Sequence, residues 1–79
     1  MDIQYLIDKI ENEYEELEPG SLAPDSKFKE VIYWNSMNSL VMIVMIEFEY
    51  KILLKGNELK DIDTIRDLAE LITEKQKHI

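Results

Sequence analysis

Residues Trp34 to Tyr50 read WNSMNSLVMIVMIEFEY. Two serines, Ser36 and Ser39, stand just ahead of seven unbroken apolar residues, Leu40 to Ile46. Neither Gly nor Pro interrupts the fifteen residues after Asn35, a length that suits a helix better than a strand. The β-branched residues Val41, Ile43, Val44 and Ile46 pull the other way. Asn35 supplies a start signal, because its side-chain oxygen can accept an orphan N–H of a first turn. The spacing therefore predicts a helix over 36–50. That helix is apolar on nearly every side, so it lies at the centre of a bundle or leaves one face for a partner.

Working outward, Ile3, Ile7, Ile10, Tyr14 and Leu17 recur at alternating steps of four and three. They predict an amphipathic helix over 2–17, capped by Asp2 and stopped by Pro19-Gly20. Asp8, Glu11, Glu13, Glu15 and Glu16 fall mostly off the stripe and read as a solvated face. Residues 18–34 show no clean period and contain Pro19, Gly20, Pro24 and Asp25-Ser26. A loop this long in a small domain is functional or pinned by its own side chains, and Leu22, Phe28, Val31 and Ile32 are the candidate anchors. Beyond Lys55-Gly56-Asn57, a single helical turn fits 57–61. Thr64 and Asp67 have capping-box spacing, with Asp for the usual Glu or Gln, and open a last helix over 64–76. Its stripe is Ile65, Leu68, Ala69 and Ile72, and the polar end EKQKHI is expected to fray. The expected fold is all-α, an antiparallel bundle of three main helices plus one short helix, with residues 1–79 as one domain.

Nine Lys+Arg against seventeen Asp+Glu give a formal net charge of -8. That charge repels phosphate backbones and anionic lipid, which argues against nucleic acid and for partners with basic patches. The longest apolar run is far short of the ~20 residues that span a bilayer, so no membrane insertion is expected. The start MDIQYLIDKIENE lacks the basic-then-apolar layout of a signal peptide, and the protein is expected to be a cytoplasmic monomer.

Reactive constellations are absent. There is no cysteine, and the one histidine, His78, is next to the last residue. Neither a nucleophile–base pair nor a transition-metal site can be assembled from these residues, so no catalytic site and no metal are expected. What remains is a serine in the first turn of a helix. Orphan N–H groups and the positive end of the macrodipole favour an anion there, and a phosphodiester on that serine would sit in a favourable field. The same serine serves equally as a cap, and serine is common at helix starts.

The whole segment from about Ile3 to Glu74 resembles the acyl carrier proteins, small acidic helical bundles with phosphopantetheine attached to a serine. The family motif Trp-Asp-Ser-Leu corresponds to Trp34-Asn35-Ser36-Met37. The family helix then ends in acidic residues, an aromatic, one residue, and an isoleucine or valine; here these are Glu47, Glu49, Tyr50 and Ile52. In the family the modified serine precedes that aromatic by fourteen residues. Ser36 stands fourteen before Tyr50 and Ser39 eleven, so Asn38-Ser39-Leu40 is the wrong register although it copies the leucine better. Pro24-Asp25-Ser26-Lys27-Phe28 resembles the loop leading to the serine, and Asp63 to Leu68 resembles the family's capped last helix.

The resemblance implies a carrier without chemistry of its own, bearing 4'-phosphopantetheine from coenzyme A on Ser36. A phosphopantetheinyl transferase would install the arm, and acyl-loading, condensing or acyl-transfer enzymes of fatty-acid-like or polyketide-like biosynthesis would dock. Leu40, Val41 and Val44, at +4, +5 and +8 from Ser36, would meet partners, with Glu47, Glu58, Asp61 and Asp63 supplying charge. Phe28, Met42, Met45, Ile46, Leu59 and Ile62 would line a space for the acyl chain. Two departures stand out: Asn35 replaces an aspartate, and Val41 occupies a position where family members often carry acid. An aminoacyl cargo is the alternative, although Tyr33-Trp34 stands where peptidyl carriers commonly have Gly-Gly. A non-carrier module in which the serine merely caps is the third reading.

Overall fold

The computed structural model describes residues 1–77; His78, expected in a frayed end, lies outside them. Five helices follow in order: α1 Ile3–Glu13, α2 Phe28–Val31, α3 Ser36–Tyr50, α4 Gly56–Lys60 and α5 Ile65–Gln76. Among the described residues there is no strand, only an isolated bridge between Lys27 and Thr64. The architecture is a small all-α bundle, with one more helical turn than the sequence predicts.

Asp2 caps α1, its carboxylate accepting from Gln4 N at 3.0 Å and Tyr5 N at 3.3 Å. Leu6, Ile7 and Ile10 turn inward. The helix stops at Glu13 rather than at 17, yet Tyr14 and Leu17 remain buried. Tyr14 adopts extended backbone, and the Glu11 carboxylate draws the chain back by accepting Gly20 N at 3.0 Å and Leu22 N at 2.9 Å. The apolar stripe persists as burial after the helix has ended. On α3, partners of α1 run in the opposite direction. Tyr5 Oη donates to Glu49 at 2.6 Å, and Tyr14 Oη donates to the Asn38 carbonyl at 2.6 Å, so the two helices are antiparallel.

The loop of 18–34 is stitched to the start of α5. Four N–H groups open every helix without an intrahelical partner, and here all four are satisfied. Ile65 N donates to Ser26 O at 3.1 Å and Arg66 N to Pro24 O at 2.8 Å. Asp67 N donates to Thr64 Oγ1 at 3.0 Å, while Asp67 Oδ2 accepts from Thr64 N at 3.2 Å, which completes the capping box. Phe28 N reaches Asp63 O at 3.2 Å, and Arg66 pairs with Asp25 at 3.0 Å. Of the four expected anchors, Leu22, Phe28 and Ile32 are buried, but Val31 is exposed. Phe28 and Ile32 are four apart and share the inward face of α2, which turns Val31 outward.

Inside, Met42, Met45 and Ile46 of α3 meet Ile52, Leu54, Leu59 and the α5 stripe Ile65, Leu68, Ala69 and Ile72. α4 starts one residue earlier than expected, at Gly56, and ends at Lys60. Glu58 ties it down, accepting Lys55 N at 2.8 Å and pairing with Lys75 of α5 at 2.7 Å.

These contacts set how stability responds to pH. The hydrogen bond from Lys75 holds the Glu58 carboxyl below the ordinary value of 4.5, and the N–H groups of Asp63 and Thr64 hold Asp67 below 3.8. Both carboxyls are depressed in the fold, so their contribution is present above those ordinary values and is lost as pH falls through the lower native ones. Burial pushes the Tyr14 phenol well above its ordinary 10.0, so its contribution is present below that pH and is lost as pH rises further. Thermal melts across pH should therefore show a fall on the acid side that Glu58→Gln and Asp67→Asn flatten, and an alkaline fall that Tyr14→Phe flattens.

Candidate functional site

The candidate site is the N-terminal end of α3. Asn35 has extended backbone, its side-chain oxygen accepts Asn38 N at 2.8 Å, and its carbonyl accepts Ser39 N at 2.9 Å. Ser36 is therefore the first helical residue, and its side chain is exposed with no hydrogen-bond partner among the described residues. The N–H groups of Ser36 and Met37 likewise have no protein acceptor among those residues. Two free donors and the positive end of a fifteen-residue helix make this a favourable place for an anion. Ser39, one turn on, is half-buried.

Behind the serine the chain is firmly held. Trp34 is half-buried and meets the fully buried Phe28 ring edge-on, with centroids 5.4 Å apart. Asn38 makes three ties at once: its N–H to Asn35, its side-chain amide to the Tyr33 carbonyl at 2.6 Å, and its carbonyl to the Tyr14 hydroxyl. Sequence reasoning passed over Asn38, since its partners lie in three different segments and no local spacing signals them. A cleft of about 400 Å³ opens beside the serine, with Trp34, Ser36 and Ser39 on one wall and Asn57, Leu59 and Lys60 on the other.

Of the six residues expected to line an acyl chain, Phe28, Met42, Met45, Ile46 and Leu59 are buried in the core and Ile62 packs against it. Leu59 also borders the cleft beside Ser36. Among the expected partner-facing residues, Leu40, Val44, Glu47, Asp61 and Asp63 are exposed, and Val41 is half-buried. Glu58 differs, because its charge is engaged by Lys75 and it is half-buried. Phe48, exposed and set between Glu47 and Glu49, was not singled out by the sequence, since it sits in the acidic stretch where the apolar run has ended. Its signal is spacing: Met37, Leu40, Val44 and Phe48 follow steps of three, four and four, one stripe of α3 opposite Met42 and Ile46.

No protein-family model matches the chain, and no curated protein matches it. Among solved structures, the chain is similar to a holo acyl carrier protein from Geobacter metallireducens determined by solution NMR. The TM-score is 0.75 at 22% sequence identity, covering 96% of this chain and 86% of that one. The likeness shows the fold: this chain is built as the helical bundle of an acyl carrier protein. Among the described residues, no helix is long and apolar enough to cross a membrane.

The geometry of Asn35 fixes what its replacement should do. Asn35→Ala removes the acceptor for Asn38 N and should lower stability by about 1 kcal/mol, whereas Asn35→Asp keeps an equivalent cap and should change it little. Urea unfolding followed by circular dichroism measures both.

Proposed function

We propose that the protein carries acyl groups as thioesters on a 4'-phosphopantetheine arm attached to Ser36, and presents them to cytoplasmic enzymes of fatty-acid-like or polyketide-like biosynthesis. The observation that carries this reading is the exposed, unengaged Ser36 hydroxyl as first residue of a capped helix, within the fold of an acyl carrier protein. The residues present fit the group, since the free N–H groups of Ser36 and Met37 suit a phosphodiester. When bound, the arm supplies a terminal thiol that holds an acyl group in activated form.

The chain's own part is positioning. Ser36 Oγ forms the new P–O bond as the diphosphate bond of coenzyme A breaks and adenosine 3',5'-bisphosphate leaves, and the serine proton goes to a base of the transferase, since no side chain among the described residues is hydrogen-bonded to the hydroxyl. Asn35 keeps the first turn of α3 wound, so the hydroxyl faces solvent. Lys60, across the cleft, adds a cation to the neighbourhood of the attached phosphate. Leu59 gives the cleft an apolar floor toward the core, where Met42 and Met45 are shape-tolerant neighbours. Docked enzymes then meet the acyl group at a high effective concentration, set by the length of the arm.

Incubation of the apo-protein with coenzyme A and a broad-specificity phosphopantetheinyl transferase, followed by intact mass measurement, tests the reading. One phosphopantetheine should be added to the wild type and to Ser39→Ala, and none to Ser36→Ala. Absence of any addition with several transferases would sink the carrier function, and loss only in Ser39→Ala would move the attachment point.

A further inference from the structure

Of the nine Lys and Arg side chains, all but Lys60 meet an acid or a ring among the described residues. Lys9, Lys27, Arg66, Lys75 and Lys77 pair with carboxylates. Lys29 and Lys51 stand over the rings of Phe28 and Phe48, at 5.9 and 5.1 Å. Lys55 acts on the Glu58 carboxylate and helps to hold it in its charged form. Asp61 follows Lys60 in the chain, but successive side chains on a helical turn do not face each other. An exposed lysine without a partner is ordinary in itself. What sets Lys60 apart is the wall it looks across to.

Lys60 borders the cleft of about 400 Å³ beside Ser36, and no Asp or Glu among the described residues lines it. Its polar side chains are Asn35, Ser36, Ser39 and Asn57, over the apolar floor of Leu59. On a chain of net charge -8, this is a local exception to the prevailing field, and it favours an anion. Asn35 helps to make it so. An aspartate, as in the family motif, would cap α3 as well, but it would place a negative charge on the same cleft and give Lys60 a counter-ion. The Asn35 amide accepts Asn38 N at 2.8 Å and caps the helix without that charge. The cation of the cleft therefore stays unshared.

We infer that Lys60 is a positioning residue, which pairs across the cleft with the phosphate carried on Ser36 and sets the first segment of the arm along the α4 wall. The inference rests on the carrier reading and adds to it an anchor peculiar to this chain. Leu59, beside Lys60, offers apolar contact to the carbons that follow the phosphate. Exposed ion pairs are weak, so the pair orients the arm more than it stabilises the fold.

The probe is the full chain with phosphoserine in place of Ser36, introduced during translation, which puts a phosphate on the same oxygen without any transferase. Its second pKa, ordinarily about 6, is followed by phosphorus NMR. A nearby cation favours the dianion and lowers that pKa. Lys60→Gln should therefore raise it by roughly 0.2–0.7 at low salt, and added salt should shrink the difference. The free N–H groups of Ser36 and Met37 act on both proteins alike, so the difference isolates Lys60. Lys55→Gln makes the same change in net charge off the cleft and should move the pKa far less. Lys60→Arg should keep it low, and Asn35→Asp should raise it. Circular dichroism should be the same for every variant. In the protein loaded with phosphopantetheine, the side-chain NMR signals of Lys60 should move on loading and those of Lys55 should not. An equal pKa with and without Lys60, an equal rise in Lys55→Gln, or Lys60 signals unmoved by loading would overturn the inference and leave the carrier reading standing. Failure of every transferase to load Ser36 would sink the carrier reading instead, while the pairing of Lys60 with a phosphate on Ser36 would still stand or fall by the phosphoserine titration.

Discussion

The burial of Phe28 is the constraint on which the serine end of the molecule depends. Its ring is wholly enclosed and takes the edge of Trp34, two residues before Ser36. A loop of this length would otherwise be costly to order, at roughly 1–2 kcal/mol of backbone entropy per residue. Here the cost is met twice over. Phe28 removes a large apolar surface from water, and the carbonyls of Pro24 and Ser26 cover the donors that open α5. The same residues thus hold the loop down and finish a helix on the other side of the bundle.

α3 carries two opposed surfaces. Met42, Met45 and Ile46 belong to the core, and Met37, Leu40, Val44 and Phe48 do not. A helix that is apolar all round usually lies in the middle of a protein, but a chain of this size cannot enclose one completely. The consequence is a helix with one apolar row, Met37, Leu40, Val44 and Phe48, in water, on a chain whose net negative charge opposes association with its own kind.

Much of this was legible in the residues, and what was not has physical causes. Asn35, Asp2, Thr64 and Asp67 announce their helix ends because caps are local and chemically specific. The extent of α3 follows from fifteen residues without Gly or Pro. The early end of α1 was hidden, since the apolar stripe continues through Tyr14 and Leu17 while the chain obeys the distant pull of Gly20 and Leu22 on Glu11. Val31 was misread because α2 is a single turn, too short for a period to show. At the site, Ser36 was chosen over Ser39 by register against the family motif. Periodicity alone could not divide the flanks of α3 into inward and outward faces, because both are aliphatic.

Asn38 joins the Asn35 cap, the chain at Tyr33 and Tyr14 just past the end of α1, two residues after Ser36. Three hydrogen bonds thus brace the first turn of α3 from three segments. A group attached at Ser36, as proposed above, would start from a first turn tied to three other segments, and the region it could sweep would depend on its own length and on the walls around it. On the proposed carrier reading, an enzyme approaching this chain would have one unknown fewer to resolve, because the attachment point is tied to the surface around it.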